Sequence, residues 1–138
     1  MKKVAFIFPG QGSQTIGMGK DFFENNDIAK EMISKASARL DVDFEKLLFE
    51  ENENLGKTEF TQPAILLVSS IANAIFKEKC NIIPEFVLGH SLGEFSALVA
   101  AGAIDYLDAI ELVHRRGLFM TEACSGGGAG MMAWVGID

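Results

Sequence analysis

Apolar and polar positions alternate along the chain with two distinct periods. Ile28, Met32, Ile33, Ala36 and Leu40 recur at helical spacing with polar residues between them, which predicts an amphipathic helix over 28–40. A short helical turn precedes it at 21–26, and Phe44, Leu47 and Leu48 mark another short helical piece. The run Ala64-Ile65-Leu66-Leu67-Val68 continues through Ile71, Ala72, Ala74, Ile75 and Phe76. It is too long for a strand and apolar on most sides, so it predicts a buried helix over 63–79 with Pro63 in its first turn. Val4-Ala5-Phe6-Ile7-Phe8 reads as a strand, and so does Phe86-Val87-Leu88 between Pro84 and Gly89, with the pattern of a buried one. Helices over 92–101, closed by Gly102, and over 106–124 follow, and one more strand is predicted at 131–135. The acidic stretch 50–54 reads as a solvated loop without a role.

Strands alternating with helices predict an α/β fold with a mainly parallel sheet. The strands are few for so many helices, so further strands of that sheet are expected on chain outside these 138 residues. The one break in composition, Ser125-Gly126-Gly127-Gly128-Ala129-Gly130, marks a hinge or domain boundary. Composition narrows the function. With 49% hydrophobic and 22% charged residues the chain can bury a core, which excludes disorder. A formal charge of −7 has the wrong sign for phosphate-backbone binding, so nucleic acid is not an expected partner. Cys80 and Cys124 lack the spacing of a disulfide framework or a zinc site, and a reduced cytoplasm is the simplest location. Pro9-Gly10 cuts the first apolar run too short for a signal peptide, and no membrane association is expected.

Gly89-His90-Ser91-Leu92-Gly93 matches G-x-S-x-G directly after a predicted strand and before a predicted helix. In that context the glycines allow a sharp turn, Ser91 Oγ projects as a nucleophile, and the helix N-terminus offers N–H groups to a developing anion. A plain Gly/Ser turn is the alternative. Gly10-Gln11-Gly12-Ser13-Gln14 leaves the first strand at the same edge of a parallel sheet. It fails as a dinucleotide fingerprint, because Thr15 stands where a small residue is needed. Its other uses are an oxyanion donor, the Gln11 N–H beside that of Leu92, or a plain glycine loop. On the last helix Arg115 lies four residues from Glu111, an ordinary surface pair. Arg116 falls between Leu112 and Met120 on an apolar sector and needs an acceptor. A substrate carboxylate fits, as does snorkelling or pairing with Asp105 or Asp108. His90 adjoins the nucleophile but reads as a structural hydrogen-bonding residue, and His114 reads as a packed side chain.

Taken together, Phe8-Pro9-Gly10-Gln11-Gly12-Ser13-Gln14, Thr61-Gln62-Pro63-Ala64, Gly89-His90-Ser91-Leu92-Gly93-Glu94-Phe95-Ser96-Ala97 and Arg116-Gly117, in this order, resemble the N-terminal part of the bacterial malonyl-CoA:acyl carrier protein transacylases. Acyltransferase domains of polyketide and animal fatty acid synthases share the pattern. The resemblance implies transfer of a malonyl group from malonyl-CoA to the phosphopantetheine thiol of acyl carrier protein in fatty acid biosynthesis, through malonyl-Ser91. It implies an oxyanion hole of the Gln11 and Leu92 N–H groups, Arg116 on the malonyl carboxylate, Gln62 in support, and no metal or redox cofactor. It also implies an α/β-hydrolase-like subdomain over 1–125 and, over 126–138, a hinge and the first strand of a small ferredoxin-like subdomain. The family's general base is a histidine well downstream of the serine, beyond Asp138. These 138 residues are therefore expected to be inactive or very weak alone and to self-associate through uncovered apolar surface. A serine esterase or thioesterase, or a catalytically incomplete unit, are the competing readings.

Overall fold

The computed structural model describes residues 3–127, 132 and 134–136. Two short strands, β1 (Ala5–Phe8) and β2 (Phe86–Gly89), pair in parallel with Ala5 opposite Phe86 and Phe8 opposite Gly89. Between them run α1 (Lys20–Asn25), α2 (Asp27–Leu40), α3 (Phe44–Phe49), a 3₁₀ turn at Asn54–Gly56 and α4 (Thr58–Lys79). After β2 come α5 (Leu92–Ala100) and α6 (Tyr106–Ala123). The α/β class is as the hydrophobic pattern predicts. The strand predicted at 131–135 falls partly outside the described residues, and Met132, Trp134 and Val135 belong to no regular element.

Strand periodicity puts Phe6, Phe8 and Val87 on one face of the sheet, where they pack against Ala97 and Ala100 of α5. The Phe6 ring meets Phe76 of α4 edge-on, with centroids 5.2 Å apart. The other face is open: Ile7 is 73% exposed and Phe86 65%. The expected burial of the second strand is thus only half correct, because alternate residues are covered and the rest are not.

The main core surrounds α4, whose Ala64, Ile65, Leu66, Leu67 and Ile71 pack among Ala29, Ile33 and Ala36 of α2, Phe44 and Leu48 of α3, and Ala109, Ile110 and Val113 of α6. By length and composition α4 could cross a membrane, yet 67% of its apolar window is buried inside the protein, as in a core helix.

This helix starts at Thr58, five residues before the predicted start, so Pro63 sits in its second turn rather than its first. Proline has no N–H to give to the carbonyl four residues back, which here belongs to Glu59. That carbonyl is taken instead by Nδ1 of His114, 2.7 Å away on α6, so the ring must carry its proton on Nδ1. His114 is a structural residue, as read from its helix position, and its task is to satisfy the acceptor that Pro63 releases. Replacing it by leucine is expected to lower stability by about 1–2 kcal/mol, the scale of a lost hydrogen bond at a part-buried carbonyl. Denaturant unfolding measures this directly, and an unchanged midpoint would mean that another donor serves the carbonyl.

Helix ends follow local chemistry. Asp43 and Asp105 cap α3 and α6, their carboxylates accepting from the N–H groups of Lys46 (3.0 Å) and Leu107 (2.8 Å). The Lys46 amide bond holds the Asp43 carboxyl below the usual carboxylate range. Gly102, at φ 74°, closes α5 as predicted. The acidic loop does have an organiser: Asn52 donates to the Leu47 and Glu50 carbonyls and accepts from the Leu55 N–H.

Candidate active site

The sharp turn between β2 and α5 is built by its glycines. A Cβ on Gly89 would come within 2.0 Å of the Gly93 backbone, and one on Gly93 within 2.2 Å of the Phe8 carbonyl oxygen. Neither collision can be relieved without moving backbone, so both glycine positions of the G-x-S-x-G pattern are steric requirements. Ser91 between them is held at φ 53° and ψ −110°. A non-glycine residue at positive φ costs on the order of 1–3 kcal/mol and persists only where its surroundings impose it. Here the Gly93 N–H donates to the His90 carbonyl (2.9 Å) and the His90 N–H to that of Phe8 (3.3 Å). Ser91 is thereby displayed, exposed, at the N-terminus of α5.

The loop after β1 is seated against this elbow. A Cβ on Gly10 would lie 2.5 Å from the His90 carbonyl oxygen, so only glycine allows the approach. The loop is braced by Ser13 Oγ donating to the Gly10 carbonyl (2.9 Å) and by the Gly12 N–H donating to Gln14 Oε1 (2.8 Å). Leu92 opens α5, where the first N–H groups of a helix have no intrahelical acceptor. Among the described residues, no backbone acceptor in a loop or cap takes the N–H of Gln11 or Leu92.

Arg116 is delivered to the elbow by the tight crossing of α6 over the start of α4. The crossing depends on Gly117, whose Cβ would meet Glu59 Cα at 2.6 Å and the Thr58 carbonyl at 2.8 Å. From there Arg116 Nη1 donates to Gln62 Oε1 (2.8 Å) and Nη2 to Ser91 Oγ (3.3 Å). Phe95, one helical turn beyond Ser91, lies under the guanidinium at 5.7 Å. Gln62 is fully buried on α4, and its Nε2 faces Gln11 Oε1 (3.5 Å) and Met120 Sδ (3.2 Å). Gln11 in turn donates from Nε2 to Thr58 Oγ1 (3.2 Å).

The acids that could have claimed Arg116 are engaged elsewhere. Asp108 pairs with Arg39 (2.9 Å), Asp105 caps α6, and among the described residues Arg116 makes no ion pair. Arg115 pairs with Glu111 (2.7 Å), as its spacing predicts. Bonding from Arg39, with the nearby Arg115 charge, keeps the Glu111 carboxyl below the usual carboxylate range. Arg116 is thus a cation lacking a counterion among the described residues, beside an exposed hydroxyl, with an open groove of about 460 Å³ next to it lined by Phe95, Leu112, Phe119 and Met120.

Ser91, Arg116, Gln62 and Gln11 therefore come together in one hydrogen-bonded chain. His90 contributes through its backbone, while its ring is exposed and makes no hydrogen bond to a described residue. His114 is committed to Glu59. Among the described residues, the one side chain hydrogen-bonded to Ser91 Oγ is a guanidinium, which donates hydrogen bonds and cannot take a proton. Sequence reasoning assigned no role to Thr58, Phe95 or Met120. Met120 lies four residues from Arg116 on the same helix, and that spacing alone marks it as a neighbour, while Phe95 sits in the first turn of the helix that Ser91 precedes. Thr58 carries no such signal.

Comparison with known proteins adds to this geometry. The chain is 46% identical, over its whole length, to a malonyl CoA-acyl carrier protein transacylase of Staphylococcus aureus and 48% identical to one of Bacillus subtilis, and spans 44% of the length of each. Its fold superimposes on the crystal structure of the malonyl-CoA:acyl carrier protein transacylase of Helicobacter pylori with a TM-score of 0.87 and 52% identity, covering 89% of this chain and 40% of that one. It also matches a malonyl-transacylase solved in complex with a type II PKS acyl-carrier protein, with a TM-score of 0.85 and 42% identity over 88% of this chain and 40% of that one. Residues 5–137 match the acyl transferase domain, and with the sharp turn at Ser91 and the Arg116 cluster in place the chain belongs to the acyl transferase family.

Proposed function

We propose that the protein transfers a malonyl group from malonyl-CoA to the phosphopantetheine thiol of acyl carrier protein, in fatty acid biosynthesis. The observation that carries this reading is the Arg116 guanidinium, without an acid partner among the described residues, at 3.3 Å from Ser91 Oγ. A hydrolase of simple esters or thioesters has no use for a cation so close to its nucleophile. A substrate with a free carboxylate near its thioester carbonyl does. The names of the relatives above point the same way.

In this reading Ser91 Oγ attacks the thioester carbonyl, and the N–H groups of Gln11 and Leu92 receive the oxyanion. Collapse breaks the C–S bond and releases CoA as a thiol, leaving malonyl-Ser91. The carrier's thiol then attacks the ester, and its proton returns to Ser91. Arg116 holds the malonyl carboxylate through both steps, with Gln62 fixing the guanidinium from behind. Proton transfer is assigned to a histidine other than His90 and His114, as the family resemblance implies. No metal or redox cofactor takes part, and the location is cytoplasmic. The two-stranded sheet belongs, on this reading, to an α/β-hydrolase-like subdomain over 1–125, with 126–138 leading into a ferredoxin-like one.

Intact mass measurement before and after malonyl-CoA, with peptide mapping, tests the intermediate: one malonyl group on the peptide carrying Ser91 is expected. Adding a thiol acceptor should then give transfer faster than release of free malonate. Free malonate as the sole product would make the protein a thioesterase instead.

A further inference from the structure

Arg116 presents only donors, so the Gln62 atom facing it has to be the carbonyl oxygen. The Gln62 NH₂ group must then point the other way, toward Gln11 Oε1 at 3.5 Å and Met120 Sδ at 3.2 Å. A flipped amide would set donor against donor at Arg116 and leave two acceptors facing each other at Met120. The orientation of this one buried amide therefore decides whether Arg116 Nη1 is tied down and Nη2 stays aimed at Ser91. Besides Arg116 itself, two groups hold the amide from its NH₂ side, and of these Gln11 is the more distant and sits on an exposed loop. The thioether of Met120 is nearer, and it lies on the same helix and the same face as Arg116, one turn away.

We propose that Met120 is a positioning residue for the carboxylate-binding guanidinium, its sulfur accepting from Gln62 and thereby locking the amide in the orientation that serves Arg116. The inference rests on the reading of Arg116 given above. Met120 is at the edge of the groove and 36% exposed, so packing alone places little demand on it. Its thioether is a weak acceptor, and a moderate effect follows.

The test compares Met120→Leu, which keeps the bulk and removes the acceptor, with Met120→Gln, whose amide oxygen can replace the sulfur. In the catalytically competent protein, kcat/KM is measured with malonyl-CoA and with acetyl-CoA, and the side-chain amide resonances of Gln62 are followed by ¹⁵N NMR. Met120→Leu should lower the malonyl-to-acetyl ratio by roughly two- to tenfold, the worth of one hydrogen bond. It should also shift the Gln62 amide resonances, and Met120→Gln should restore the ratio. Equal loss on both substrates, an unchanged ratio, or unmoved Gln62 resonances each overturn the proposal. Arg116→Ala run in parallel separates the two layers. If it lowers the ratio while Met120→Leu does not, the carboxylate reading stands and the role of Met120 falls. If Arg116→Ala leaves the ratio untouched, the carboxylate reading itself is wrong, and the role of Met120 fails with it.

Discussion

Ser91→Ala protein is expected to take up no acyl group from malonyl-CoA, so that its intact mass should be the same before and after incubation. No other described hydroxyl combines an exposed elbow with a helix N-terminus: Ser13 and Ser125 are bonded to local carbonyls, and Ser70 and Ser96 are buried. The loss must be chemical rather than structural, and the backbone supplies the control. Alanine at φ 53° is about as strained as serine, so folding should be unaffected. Glycine tolerates that region, so Ser91→Gly should raise stability by about 1 kcal/mol while abolishing the adduct just as completely. Thermal melts beside the mass measurement separate the two effects. A malonyl adduct persisting on either variant would assign the nucleophile elsewhere.

Arg116→Ala should lower kcat/KM for malonyl transfer by about tenfold or more and leave acetyl transfer much less affected. Hydrogen bonds to a charged group are worth roughly 1.5–3 kcal/mol, and each ~1.4 kcal/mol is a factor of ten. Only the malonyl group brings a carboxylate for the guanidinium. Arg116→Lys keeps the charge but loses the fork that spans Gln62 and Ser91, so it should recover part of the activity and not all of it. Equal losses with both acyl groups would make Arg116 a structural residue that orders the Ser91 and Gln62 side chains. Parallel kinetics with the two thioesters distinguish the cases.

Much of the fold was legible because it is local. The amphipathic pattern of α2, the closure of α5 at Gly102 and the strand, turn and helix around Ser91 depend on neighbours a few residues away. The start of α4 departs from the sequence pattern for the same reason. Pro63 looks like a first-turn residue when seen alone, and what permits it deeper in the helix is His114, 55 positions along the chain from the Glu59 carbonyl that it satisfies. The half-open sheet likewise lies beyond the local pattern, since a three-residue apolar run says nothing about which face another layer covers.

The site divides along the same line. The amino-acid sequence by itself determined the sharp turn that displays Ser91, because the glycines flanking it and its place between strand and helix are backbone properties of a short segment. It also determined that Arg116, on an apolar helix face, needs an acceptor. Which acceptor was decided by the tertiary structure alone. Asp105 and Asp108 were open candidates until the packing of α2 against α6 gave Asp108 to Arg39 and the helix end claimed Asp105. Gln62 meets Arg116 across 54 residues only because Gly117 lets α6 approach the start of α4. Hydrophobic periodicity and backbone conformation are written in consecutive residues, whereas the choice of a hydrogen-bond partner between distant helices is set by how closely and at what register they cross.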